Sequence, residues 1–219
     1  MFGLVGAGRT EICKAIFGAD KFDSGKIFIN GKEEHIKKPR SAMKKGVALL
    51  PEDRKKEGLC LGLSVDFNTN MASYDLISKF CWINLKKEHE RTRHYIKEME
   101  TKTPSIKQLC KNLSGGNQQK VVIGKWLCRN ADIMLFDAPT VGVDVGAKAE
   151  IYKLIEQLTR QGKCIILISS YLPEIMGLAD EMMVISEGKL MGTLDRSEFM
   201  KDGKLDEERA LRLASGISE

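Results

Sequence analysis

The chain has 219 residues, enough for one domain with a substantial core and an inserted subdomain. Its 35 basic and 30 acidic residues are interspersed, and the basic clusters at 32–40 and 52–58 carry acids of their own and no interleaved aromatics, which argues against a nucleic-acid surface. No apolar run approaches the roughly 18 residues of a spanning helix, and the six cysteines (Cys13, Cys60, Cys81, Cys110, Cys128, Cys164) lack zinc spacing, so direct membrane insertion and a thiolate metal centre are both disfavoured.

Taken in order, residues 3–11 read GLVGAGRTE, a Gly-rich turn, and ICKAIFG behind it has helical spacing ending at Gly18. SGKIFINGK (24–32) predicts a strand closing in an Asn-Gly turn, and a short basic helix is expected after Pro39. GVALLPEDR (46–54) predicts a strand running into a loop, with residues 53–57 solvated. From Val65 to about Lys125 the pattern turns helical and charged, clearest in LKKEHERTRHYIKEME (85–100). LSGGNQQK (113–120) opens a further helix, after which strand and helix alternate: DIMLFD, AKAEIYKLIEQLTRQG, KCIILISS, LPEIMGLAD and EMMVISEGKLMGTL. Alternation of this kind predicts an α/β fold with parallel strands and crossover helices, interrupted by a helical insertion at about 65–125. Ile151, Leu154, Ile155 and Leu158 form a core-facing stripe. Several cysteines sit in apolar runs and are expected as buried, reduced thiols. His35, His89 and His94 lie in polar surroundings and are expected at the surface.

Three motifs carry chemistry. In GLVGAGRT, Gly3, Gly6 and Gly8 let successive N–H groups face phosphate oxygens, Thr10 offers a hydroxyl to Mg²⁺, and Arg9 stands where a Lys is usual. In LSGGNQQK, Ser114, Gly115 and Gly116 make a second anion-facing helix start. In IMLFDAPTVGVD (133–144), four apolar residues deliver Asp137 to a strand end, and Ala138 follows where a nucleotide hydrolase would place a glutamate.

Together with LPEDRKKEGLCLGLSV and PTVGVDVGAKAEIY, these motifs stand in the order and spacing of an ATP-binding-cassette ATPase. The chain resembles, over essentially all of its length, the second of the two cassettes in the ATPase subunit of bacterial monosaccharide importers of the ribose, galactose and xylose class. The resemblance implies a P-loop NTPase fold in which Gly6, Ala7, Gly8, Arg9 and Thr10 form the phosphate loop, with Gly3 and Glu11 also among the nucleotide-binding residues. It places Glu52 at the Mg²⁺-sensing position, Ser114, Gly115, Gly116, Asn117 and Gln118 in the signature, and Asp144 in a loop facing an opposite cassette. Thr10 and Asp137 would hold Mg²⁺. Ala138 replaces the catalytic glutamate and Ser170 the switch histidine, so no catalytic group is intact in cis. Because an ordinary cassette has strands and an adenine-stacking aromatic before the phosphate loop, the chain reads as N-terminally truncated.

The resemblance further implies ATP and Mg²⁺ as cofactors, head-to-tail pairing with a second cassette, and membrane permease subunits as partners at the cytoplasmic membrane face. Nucleic acid is not an expected partner, and membrane association is expected through a partner protein. A nucleoside-type importer ATPase and a non-hydrolysing ATP-binding adaptor are the alternative functions.

Overall fold

A computed structural model describes residues 1–80, 82–201, 204–205 and 207–216; Cys81 lies outside the described residues. Helix α1 (Arg9–Phe17) leaves the Gly-rich turn, and a hairpin of β1 (Ile27–Ile29) and β2 (Lys32–Glu34) follows. Asn30 and Gly31 both take left-handed φ values, 51° and 75°, as a tight hairpin turn demands, so the expected single strand is the first arm of a pair. Helix α2 (Pro39–Lys44) starts on its proline and leads into β3 (Val47–Leu50), buried at every position.

The helical block comprises α3 (Val65–Asn70), a small hairpin of β4 (Ser78–Lys79) and β5 (Trp82–Ile83), α4 (Leu85–Glu98) and α5 (Gly115–Cys128). The α/β pattern resumes with β6 (Ile133–Asp137), α6 (Val145–Arg160), β7 (Cys164–Ile168) and α7 (Leu172–Leu178). A hairpin of β8 (Glu181–Ser186) and β9 (Lys189–Asp195) follows, then α8 (Arg196–Phe199), β10 (Met200–Lys201), β11 (Lys204–Leu205) and α9 (Glu208–Ala214).

Strands β3, β6 and β7 pair in parallel in that order, with Leu49 opposite Leu135 and Leu135 opposite Ile166. Phe2 extends the arrangement: it bridges Ser169 just beyond β7 and Val184 of β8, donating to the Met183 carbonyl at 2.8 Å and accepting from Ile185 N–H at 2.8 Å. The residue before the Gly-rich turn is therefore anchored beside the ends of the parallel strands, where α/β sheets hold ligands.

Helix α5 is buried along most of its length because it packs on α3 and α4 on one hand and on α6 and β3 on the other. It is the spine shared by the helical block and the sheet, and it runs to Cys128. Trp126 meets Phe17 edge to face at 5.6 Å, joining α5 to α1. The stripe Ile151, Leu154, Ile155 and Leu158 is buried in α6 as expected.

One surface expectation changes. His89 is half-buried, with Nε2 3.2 Å from Asp66 Oδ2, and it flanks a polar network in which Thr92 Oγ1 donates to Asp66 Oδ1 (2.6 Å) and Asn70 Nδ2 donates to Thr92 Oγ1 (2.8 Å). His35 and His94 are exposed. Among the thiols, Cys13, Cys110 and Cys128 are buried, whereas Cys60 and Cys164 are exposed. The position of His89 does not follow from local composition, since it depends on how α3 and α4 meet.

Candidate functional site

Gly3 is where the chain passes β8: a Cβ there would sit 2.3 Å from the Ile185 carbonyl oxygen. Gly6 and Gly8 then adopt φ of 84° and 92°, the left-handed region that side chains disfavour. Ala7 N–H donates to the Leu4 carbonyl (3.1 Å) and the Ala7 carbonyl accepts from Gly188 N–H (2.9 Å), so the turn is pinned to the β8–β9 connection. Gly8 caps α1 without any side-chain bond, leaving the first N–H groups of the helix open to an anion.

Around this turn lies a cavity of about 270 Å³ lined by Gly6, Ala7, Gly8, Arg9, Thr10, Glu11, Glu52, Asp137, Ala138 and Ser170. Four segments distant in sequence thus converge. Arg9 Nη2 donates to the Leu4 carbonyl at 3.2 Å, while its Nε and Nη1 are buried without a partner. Burial lowers the Arg9 pKa, and the neighbouring carboxylates of Asp137, Glu52 and Glu11 oppose that shift. Unpaired buried guanidinium N–H groups are costly, and a phosphate offers the bidentate acceptor they lack. The residues present therefore fit a nucleotide polyphosphate.

Asp137 is delivered by buried β6 and bonds the Thr10 side chain. Burial raises its carboxyl pKa and Glu52 adds to the rise; Thr10 and Arg9 pull the other way. A divalent cation held between Thr10 and Asp137 would neutralise this buried charge, so the donor set fits Mg²⁺ as well. Ala138 follows in a left-handed conformation (φ 44°), its N–H donating to the Ile168 carbonyl at 2.9 Å. Only a methyl group occupies the position, and Ser170 faces the same space with a hydroxyl. The arrangement can hold phosphates and a cation, but it offers no carboxylate at 138 to orient water.

The second Gly-rich helix start is built differently. Ser114 caps α5, its Oγ accepting from the Asn117 backbone N–H at 3.4 Å and also from Asn117 Nδ2 at 2.8 Å, and Asn117 Oδ1 accepts from Lys102 N–H at 2.7 Å. Gln118 Nε2 donates to the Cys110 and Leu113 carbonyls. A Cβ on Gly116 would lie 2.5 Å from Ala147 Cβ, and one on Gly115 would lie 2.7 Å from both the Gly142 oxygen and Arg54 Nη2. Among the described residues, none of 113–118 lines the Gly-rich-turn cavity. Asp144 is likewise outside it, capping α6 by accepting from Ala147 N–H at 2.9 Å.

Arg54 is the residue that sequence reading missed. It lies inside the segment expected to be solvated, yet it is buried in a π-helical turn (Arg54–Gly58), with Nη1 donating to the Val141 carbonyl (2.6 Å) and Nη2 to the Gly142 carbonyl (2.8 Å). Burial lowers its pKa, against the nearby Asp53 carboxylate. It ties together the loop after β3, the loop after β6 and the start of α5. The only local signal is Asp53, which caps the turn by accepting from Lys55 and Lys56 N–H.

Residues 1–141 match the ABC transporter family. A ribose import ATP-binding protein (RbsA 3) of Rubrobacter xylanophilus is 44% identical over 99% of this chain and 42% of its own length. A xylose import ATP-binding protein (XylG) of Thermoanaerobacter pseudethanolicus is 46% identical over 98% of this chain and 41% of its own. The chain thus spans about two fifths of the length of these relatives. Two solved structures share the fold. One is a nucleotide-free ATP-binding cassette from an ABC transporter (TM-score 0.74, 21% identity, 89% of this chain and 78% of that one). The other is the dimeric ATP-binding cassette MJ0796 bound to ADP and phosphate (TM-score 0.72, 18% identity, 89% and 83%).

Proposed function

Because this chain belongs to the ABC transporter family, we propose that it is the second, C-terminal cassette of a bacterial monosaccharide-importer ATPase, one that holds nucleotide in cis and completes a partner's site in trans. The observation that carries the reading is Arg9: a buried guanidinium with two unpartnered nitrogens at the open end of α1, beside the Thr10–Asp137 pair and opposite an alanine.

In this reading the Gly-rich turn and Arg9 grip the terminal phosphates, Thr10 and Asp137 hold Mg²⁺, and Glu52 faces the cation from the loop after β3. ATP, when bound, supplies the phosphates across which two cassettes close. Ala138 and Ser170 neither orient nor deprotonate water. Absence of such a base costs about 10²–10⁴-fold in rate, so the site holds nucleotide rather than turning it over. The signature would present its exposed start at Ser114 to the phosphates held by a partner cassette, with Gln118 turned inward to brace the turn. Asp144 and its loop meet that partner, and the helical subdomain at 65–125 passes closure to permease subunits at the cytoplasmic membrane face. The exclusion of residues 113–118 from the cavity of their own chain supports a head-to-tail pair.

Titration calorimetry with Mg-ATP tests this. The unmodified chain should bind, and Arg9→Ala should weaken binding about 100-fold, the worth of two charge-assisted hydrogen bonds. Absence of binding by the unmodified chain, or unchanged affinity in the variant, would overturn the holding role.

A further inference from the structure

We propose that the β4–β5 hairpin is a lipid-contacting edge that seats the helical block on an anionic membrane surface. Phe80 and Trp82 are 87% and 82% exposed, and Leu76, Ile83 and Leu85 extend the apolar patch around them. The patch is built rather than frayed. Lys79 pairs with Trp82 and Ser78 with Ile83 across the hairpin, Asn84 N–H donates to the Ile77 carbonyl at 3.1 Å, and Asn84 then caps α4 by accepting from Lys87 N–H. Phe80 is held at φ 48°, a strained conformation for a large side chain, and projects into solvent with the Lys79 ammonium 5.8 Å from its ring centroid.

Charge selects the occupant. Residues 76–87 carry Lys79, Lys86 and Lys87 and no Asp or Glu. The two acids at the margins are engaged: Asp75 with Arg129, and Glu88 buried and accepting from Tyr74 Oη. An exposed Trp and Phe among lysines that form no ion pair with the described residues matches a headgroup interface, where aromatic rings sit at the water boundary and lysines meet anionic lipid. A second copy of the hairpin would bring like charges together. Cytoplasmic loops of a membrane protein, themselves enriched in Lys and Arg, complement it poorly. This contact lies beyond the nucleotide-dependent role proposed above, and its test uses no nucleotide.

The test is co-sedimentation of the chain with phosphatidylcholine vesicles, with and without phosphatidylglycerol. Binding is expected to the anionic vesicles and to fall steeply with salt. Because Trp126 is buried, quenching by brominated lipid should report Trp82. Phe80→Ser with Trp82→Ser should lower partitioning at least ~10-fold. Charge reversal at the three lysines should lower it ~100-fold, at ~5-fold or more for each. Both variants change only exposed side chains, and unchanged circular dichroism confirms that they fold. Equal binding to neutral vesicles, unchanged binding by either variant, or no vesicle binding at all would overturn the proposal. Photo-crosslinks from position 82 landing on protein in native membranes would assign the hairpin to a protein partner instead.

Discussion

The molecule contains two Gly-rich helix starts, and they are opposites. The turn before α1 leaves its polar groups open: Gly8 gives no side-chain cap and Arg9 keeps two nitrogens unpartnered. The turn before α5 has much of its polar capacity committed within the chain, through Ser114, Asn117 and Gln118, and its glycines are pressed against Ala147 and Arg54. In the first, Gly6 and Gly8 are required by torsion and Gly3 by space; in the second, both glycines are required by space alone. An open turn can receive a ligand, whereas a closed one presents a fixed surface. Glycine at a helix start therefore serves two physical purposes.

The largest expected effect concerns the support of the closed turn. Lys125, on the same helix, is buried, donates to the Gly58 carbonyl at 2.8 Å and has its pKa lowered by burial to about 8. Between about pH 8 and the ordinary lysine value the unfolded chain binds more protons than the folded one, so stability rises with pH across that window. Below pH 8 the full penalty applies, roughly 3 kcal/mol. The difference in urea-derived stability between the unmodified chain and Lys125→Met should change by that order from pH 7 to 10. Parallel profiles would refute the buried charge.

Next is Arg54→Ala, which should lower stability by about 2 kcal/mol by removing two charge-assisted bonds to the loop after β6. Arg54→Lys should not restore it, because one ammonium does not span both carbonyls. Equal stability of the alanine variant would show that the clasp is hydrated rather than holding.

The two turns can then be separated directly. Asparagine tolerates left-handed φ, and a Cβ at Gly6 meets nothing within 4 Å, so Gly6→Asn should cost under about 1 kcal/mol. Gly116→Asn, forced against Ala147, should cost about 2 kcal/mol. Similar costs in denaturant melts would erase the distinction between torsion and space. The smallest effect is at Ala138, where glycine relieves the left-handed strain: Ala138→Gly should stabilise by roughly 0.5 kcal/mol after the unfolded-state entropy of glycine is counted. A loss of stability there would mean that the methyl group packs usefully.

Sequence patterning alone determined the frame. The 3.6-residue stripe of α6, the apolar run of β6 ending in Asp137, the Ser114 cap and the glycines of the first turn are all local. Each follows from backbone torsion or periodicity within a few residues, and each is where it was expected. The strand expected within 24–32 is β1 with its Asn-Gly turn, and only the partner β2 needed the fold, because an Asn-Gly turn specifies a hairpin only when residues on both sides can pair. Tertiary structure decided the rest. Arg54 is buried because carbonyls 87 and 88 residues away require donors, and apart from the Asp53 cap nothing in EDRKKEG distinguishes it from its solvated neighbours. Asn117 is spent on a backbone N–H 15 residues earlier, and His89 is drawn inward by Asp66 on another helix. The fate of a polar side chain is set by which unpaired group the fold brings to it, and that is a property of the assembled chain.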